Sequence, residues 1–232
     1  MSINALQTVQ CPACDAEVSV DVCFSVNGGR HPHFRAAIIG GTYQRHTCPN
    51  CQRSFRLEPD LTYFDAGRAQ WIITRPPSEV DGWDEVEAAA AEIFAKAFGP
   101  ETPPAAQRLG EQLKVRVAFG WPALREKIVC AEAGLDDVVL ELCKLAIVRN
   151  LDGAPLADGV ELRLLGVRDG TMAFVWLDPV TEAVVESLEV PRSLYDDIAA
   201  AEDDWAPLKS ALQSGPFVDI DRLLVQPVEL AA

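Results

Sequence analysis

Two four-residue stretches carry the chemistry that is easiest to name in this sequence: Cys11-Pro12-Ala13-Cys14 and Cys48-Pro49-Asn50-Cys51. A C-x-x-C turn aims two thiolates to one side of a tight loop. Two such turns facing each other complete a tetrahedral S4 site, with Zn–S near ~2.3 Å. The spacing predicts one Zn2+ held by Cys11, Cys14, Cys48 and Cys51. A closed four-cysteine site keeps no coordination position for water or substrate, so the expected role is structural: the metal supplies folding free energy to a module with few apolar residues. The competing reading is thiol redox chemistry, in which one C-x-x-C cycles between dithiol and disulfide. That motif belongs with a βαβ pattern. Here AEVSVDVCF and RSFRLEP, which follow the two cysteine pairs, both read as strands.

The remaining metal candidates are weaker. His31, His33 and His46 crowd near the two cysteine turns. A second metal is one reading for them, and a solvated surface or a turn cap is the plainer one. Cys23 reads as a packed thiol on a strand. Cys130 and Cys143 fall on apolar helix faces and read as small core residues.

These residues need elements to position them. Residues 15 to 47, between the two turns, exceed the usual ribbon spacing of ~15–20 residues. The stretch RHPHFRAAIIGGTYQRHT fits an inserted short helix that begins at Pro32 and ends at Gly40-Gly41, then an extended return to Cys48. Pro76-Pro77-Ser78 marks a boundary. It gives a zinc-binding module over 1–78 and an acidic region over 79–232. Beyond it, helices are expected at about 81–98, 122–133 and 136–149, the second opened by Pro122 and closed by Gly134. Asp136 and Asp137 favour the start of the third through its positive end. Arg168-Asp169-Gly170 predicts a β-hairpin over about 160–177. A further strand is expected in AVVESLEV, a helix after Pro191, another near 207–212, and a strand in the tail PFVDIDRLLVQPVEL. The fold class is α+β: a zinc-ribbon-like module followed by a mixed helical and antiparallel β region.

Residues from about Val9 to Arg75 resemble the CpXC domain, a bacterial family named for its two Cys-Pro-x-Cys motifs. The likeness extends past the cysteines to Phe55–Ile73, with Tyr63, Phe64 and Asp65 at its centre, and to the Gly-Gly before the second turn. LREKIVCAEAGLDDVVLELCKL, residues 124–145, is similar to a helical segment of longer members. Gln52 departs from the pattern, which often has Gly or His there, so a slightly different turn is expected. The resemblance implies a fold module and no particular reaction.

Composition narrows the function classes. At 49% hydrophobic and 24% charged, the chain is that of an ordinary folded protein. No apolar run reaches the length of a bilayer-spanning helix. MSINALQTVQ has neither the basic region nor the apolar core of a secretory signal, so a cytoplasmic location is expected. Cysteines stay reduced in that compartment, which favours metal over disulfides. The net charge of −15 is uneven: residues 1–78 hold 7 Arg against 6 acids, and the rest 13 Lys and Arg against 29 acids. Such a chain is repelled by a phosphate backbone, which disfavours nucleic acid.

No enzyme is expected. The sequence lacks G-x-S-x-G, a P-loop, G-x-G-x-x-G and H-E-x-x-H. Asp136-Asp137, Asp196-Asp197 and Glu202-Asp203-Asp204 read as solvated faces or helix starts. Two binding roles remain. The first is interaction with a protein partner or a second copy, through an exposed patch near Trp71, Tyr63 or Trp83. The second is a nucleic-acid surface built from Arg30, Arg35, Arg45, Arg53 and Arg56 with Phe34, Tyr43 and Phe55. The plainer account of those arginines is ordinary surface charge that balances acids elsewhere, docking onto the acidic C-terminal half being one form of it.

Overall fold

The computed structural model describes residues 3–225 apart from 152, 154, 156–158 and 202. Strands β1 (Ile3–Gln10) and β2 (Glu17–Asn27) form a hairpin, and α1 (Pro32–Ile39) follows. A second, smaller hairpin joins β3 (Arg45–Thr47) to β4 (Ser54–Arg56). Then come β5 (Leu61–Asp65), β6 (Gln70–Arg75), α2 (Trp83–Phe98), α3 (Pro104–Gly110) and β7 (Lys114–Phe119). Two long helices, α4 (Gly120–Glu132) and α5 (Asp137–Asn150), lead into β8 (Glu161–Arg168), β9 (Thr171–Leu177) and β10 (Val184–Pro191). Helices α6 (Arg192–Ala200), α7 (Ala206–Leu212) and α8 (Asp221–Val225) end the described chain. The fold is mixed α+β, with eight α-helices and three sheets among the described residues.

The larger sheet has the order β1-β2-β5-β6-β7. Strand β7 pairs in parallel with β6 from Gln70↔Lys114 to Arg75↔Phe119. The division drawn at residue 78 therefore cuts through this sheet, whose edge strand β7 comes from the far side of α2 and α3. The reason is visible in QWIITR, which is buried at Gln70 through Thr74. A strand apolar on both faces needs a neighbour on each side and a layer on each face. Ile72 and Ala118 point to α4 and α1, while Trp71, Ile73, Val117 and Phe119 pack with α2 and Phe217. This burial overturns the expected aromatic patch. Tyr63, Trp71 and Trp83 are 0%, 4% and 7% exposed and belong to the core.

The smaller three-stranded sheet has the order β10-β9-β8. Asp169 and Gly170, with φ of 50° and 75°, make the β8–β9 turn in the left-handed conformations that a type I′ turn needs. Leu164, Met172, Phe174 and Trp176 from this sheet share a core with Leu140, Leu142 and Cys143 of α5 and with Tyr195 and Ile198 of α6. Gly134, with φ of 65°, ends α4, and the Leu135 N–H bonds the Cys130 carbonyl. The tail places Phe217 against Val117 in a single parallel bridge and then turns into α8 rather than a strand. Positions 226–232 of the expected strand lie outside the described residues.

Helix α4 touches β6 and β7 on one side and β8 on the other. It is a middle layer, so even its charged residues Glu126 and Lys127 are buried. Glu126 accepts from Lys144 at 2.9 Å, from Arg163 at 3.1 Å and from the Leu164 N–H at 2.6 Å. Lys144 also meets Glu141 at 2.7 Å, and Lys127 lies 3.4 Å from Asp137 and 3.5 Å from Glu141. Arg163 reaches Asp219, and Arg116 grips Asp137 through two nitrogens. Asp137 is thus no solvated helix start. Its neighbour Asp136 does that work, capping α5 by accepting from Val138 and Val139. Asp196, Asp197, Asp203 and Asp204 are exposed, and Glu202 is outside the described residues.

Candidate metal centre

Each cysteine pair sits at the tip of a hairpin, the first between β1 and β2 and the second between β3 and β4. The two tips share one hydrogen-bond pattern. The Cys11 N–H donates to Ala16 O and the Asp15 N–H to Cys11 O, both at 2.9 Å. In the second tip the Cys48 N–H donates to Arg53 O and the Gln52 N–H to Cys48 O, again at 2.9 Å. Asp15 and Gln52 both adopt left-handed backbone, with φ of 55° and 60°. The different turn expected at Gln52 is therefore not found. Gln52 takes the conformation favoured by glycine, and its Nε2 bonds the Pro49 carbonyl at 2.9 Å.

The hairpins bring their tips together so that the four Sγ atoms all lie within 4.8 Å of one another. Cys11 Sγ is 3.7 Å from Cys51 Sγ, and Cys14 Sγ is 3.7 Å from Cys48 Sγ. Four sulfurs placed tetrahedrally at ~2.3 Å from one ion have edges of about 3.8 Å. The donor set therefore fits zinc. A disulfide needs an S–S distance near ~2.05 Å, and all seven cysteines are free thiols. Both close approaches join one tip to the other, as a shared ion requires.

The surroundings favour thiolates in part. The Ala13 N–H points to Cys11 Sγ and Asn50 Nδ2 to Cys14 Sγ, each at 3.5 Å. The Asn50 amide, helped by the Ala16 backbone, holds the Cys14 thiol down to about 6. Cys51 goes the other way: the Arg53 backbone favours its thiolate, but burial and the three neighbouring thiols push it up to about 11. Four sulfurs this close cannot all ionise without a cation, and a bound metal releases their protons. Cys11 and Cys48 are fully buried, with Val18, Val20 and Phe55 as the only other buried members of this small cluster.

The three histidines are elsewhere in chemical terms. His31 precedes α1, with its ring 5.8 Å from that of His33, and His46 packs beside Phe55 with its pKa lowered by burial. Among the described residues none of them belongs to a group of three or more candidate ligands. A second convergent group, Glu126, Glu141 and Asp219, was not singled out from the sequence. Its cations are already present as Lys144 and Arg163. Cys23, Cys130 and Cys143 are buried, and burial raises the thiols of Cys130 and Cys143.

The arginines proposed as a nucleic-acid surface are largely engaged. Arg35 pairs with Glu132 at 3.0 Å and with Asp65 at 3.5 Å. Arg45 and Arg56 both pair with Glu182, in the turn between β9 and β10. Tyr43 and Phe55 are buried, while Arg30 and Arg53 are exposed. No helix among the described residues is long and apolar enough to cross a membrane.

No curated protein and no solved structure matches the chain. The family model described as CpXC protein matches residues 9–144, from the strand before the first cysteine pair through most of α5, which is more than half of the chain. Paired cysteine tips, a sheet completed by β7 and the helices laid on it are one continuous match, and the chain belongs to the CpXC protein family.

Proposed function

We propose that the protein binds one Zn2+ through Cys11, Cys14, Cys48 and Cys51, that the ion is structural, and that the chain is a protein-interaction module with no catalytic activity of its own. The mutual approach of the four sulfurs, two of them fully buried, carries the metal reading. The ion would bind the two hairpin tips where apolar burial is scant. Zinc also suits this donor set better than harder cations, which prefer oxygen. The test is metal content by mass spectrometry, before and after each cysteine is changed to serine. One zinc per chain, weakened by every change, supports the site. No metal, with either pair oxidising reversibly, would make the protein a thiol-redox candidate.

The interaction reading rests on β1. It lies at the edge of the sheet, pairs among the described residues only with β2, and is exposed at every residue but Val9. Leu6 is 71% exposed and Ile3 54%. An open edge with apolar side chains is a template for strand addition by another chain or a second copy. Sedimentation of the wild type and Leu6→Lys tests the second copy. Concentration-dependent dimers lost in the variant support it, and a monomer throughout points to a different partner. Nucleic acid is the alternative. The pairing of Arg35, Arg45 and Arg56 with acids weighs against it, and absence of binding at low salt would remove it.

A further inference from the structure

Three arginines from three elements converge on one carboxylate. Arg45 of β3, Arg56 of β4 and Arg125 of α4 all pair with Glu182, which reaches back from the Asp178–Ala183 turn of the C-terminal sheet. Arg56 Nη1 and Arg45 Nη2 donate to Oε1, the latter at 3.4 Å, and Arg125 Nη2 donates to Oε2 at 3.1 Å. The charges do not balance: three guanidinium groups face one carboxylate. Hydrogen bonds do not balance either. Arg56 Nη2 and Arg125 Nε are buried with no partner among the described residues, and the Arg56 side chain is only 7% exposed. A buried N–H without an acceptor costs roughly 1–3 kcal/mol, so the cluster is poorly explained as a fastening for Glu182 alone.

Two of the arginines are held by contacts that do not involve Glu182. Arg56 Nε donates to the Tyr43 carbonyl at 2.8 Å, and its guanidinium lies 4.2 Å over the Trp121 ring. Arg45 Nε donates to the Gly41 carbonyl at 2.6 Å. Gly41 itself has φ of 68°, and a Cβ there would stand 2.7 Å from Arg125 Nη2. The backbone makes room for the third arginine. The cradle is therefore preformed, and the part that can leave is an exposed turn, with Val180 62% exposed at its tip.

We infer that Arg45, Arg56 and Arg125 form a binding site for a phosphate-class oxyanion, and that Glu182 occupies it as an internal stand-in. A phosphate monoester offers about two negative charges and three strong acceptor oxygens, which matches the excess positive charge and the two spare donors better than a carboxylate does. Arginine forks are suited to this geometry. A cradle in which Arg56 and Arg125 are largely buried and Arg45 lies at the open rim fits a terminal phosphate, rather than the diester of a polyanion, which the net charge of −15 repels. The site does not depend on how β1 is used or on the metal being structural.

The experiment compares inorganic phosphate binding, by equilibrium dialysis and thermal shift, in the wild type and in Glu182→Gly and Glu182→Gln. Glycine suits the left-handed backbone at 182, where φ is 58°, and glutamine keeps the packing if glycine weakens the turn. Sodium chloride at matched ionic strength is the reference. If the open cradle is populated at below about 10% in the wild type, removing the stand-in raises phosphate affinity by about tenfold or more. Adding Arg125→Leu to either variant abolishes the gain. A phosphoserine peptide that binds more tightly than free phosphate identifies a phosphorylated protein segment as the source, and equal binding identifies free phosphate. If neither variant binds phosphate more tightly than the wild type, or if the gain survives loss of Arg125, the cluster is only an ion-pair joint and the inference falls.

Discussion

Lys144 and Glu126 face each other at 2.9 Å with neither side chain exposed to solvent. They sit on the packed helices α4 and α5, and each has a second partner of opposite charge. Removing one member of a buried pair leaves the other as an uncompensated charge, at a cost of about 3–5 kcal/mol. Lys144→Met is therefore expected to destabilise the protein by up to that amount, since Glu126 and Glu141 both lose their ammonium and keep only Arg163 and Lys127 as compensation. Urea denaturation measures it. A loss below about 1 kcal/mol, the surface-pair range, would show that water reaches the pair.

Glu141 makes the same network sensitive to pH. Burial pushes its carboxyl up to about 7, with Asp219 and Glu126 repelling its charge against the pull of Lys144 and Lys127. An unfolded Glu titrates near ~4.3. Between these values the folded state holds a proton that the unfolded state has released. This group's contribution to stability therefore falls as pH rises through the window and is level above about 7. Asp219 acts in the opposite sense: although burial opposes it, Arg163 and the lysines hold it below the usual range, so it stabilises above ~3.9 and loses that contribution in acid. Glu141→Gln mimics the protonated form. Its stability relative to the wild type should increase from pH 5 to 7.5, a difference that cancels the shared effect of metal loss in acid. A constant difference across that range would place Glu141 in the ordinary ionised state.

The cysteine tips could be read from the sequence because C-x-x-C is a local device, as are the Asp169-Gly170 turn and the Gly134 helix stop. Pairing β6 with β7 could not, because α2 and α3 intervene and nothing in KVRVAF names QWIITR as its neighbour. The same non-locality hid the role of Glu126, Lys127, Glu141 and Lys144. A charged residue on a helix reads as solvated unless a layer is known to cover it; here α4 has β6 and β7 on one side and β8 on the other, and α5 packs against α4, α6 and α7. Trp71, Tyr63 and Trp83 invited an interface reading for a related reason: the sheet faces that bury them come from distant segments. Glu182 is the extreme case, a single acid in a turn whose partners begin more than a hundred residues earlier.

Loss of the metal should act locally at first. Cys48→Ser opens a closed site and is expected to lose the zinc and the order of both hairpin tips. The helices α4 and α5 rest on larger cores from both sheets. Hydrogen exchange should therefore rise at Val18, Val20 and Phe55 while protection persists from Leu140 to Ile147. Uniform loss of protection throughout would mean that the tips and the central layer unfold as one unit.

Gln52 offers a test of the turn itself. A side chain in left-handed backbone costs about 1–2 kcal/mol relative to the right-handed region, a cost that glycine avoids. Glycine gains extra freedom in the unfolded chain, about 0.5–1 kcal/mol, and forfeits the bond from Gln52 Nε2 to Pro49. These effects nearly offset, so Gln52→Gly should lie between neutral and about 1 kcal/mol stabilising. Gln52→Val keeps the strain, adds a branched Cβ and loses the same bond, and should cost about 1–2 kcal/mol. Thermal melts of the zinc-loaded variants give both values. The ordering glycine above glutamine above valine confirms the φ of 60° as a strained position, and valine equal to glutamine would show that the second tip adopts a different turn in solution.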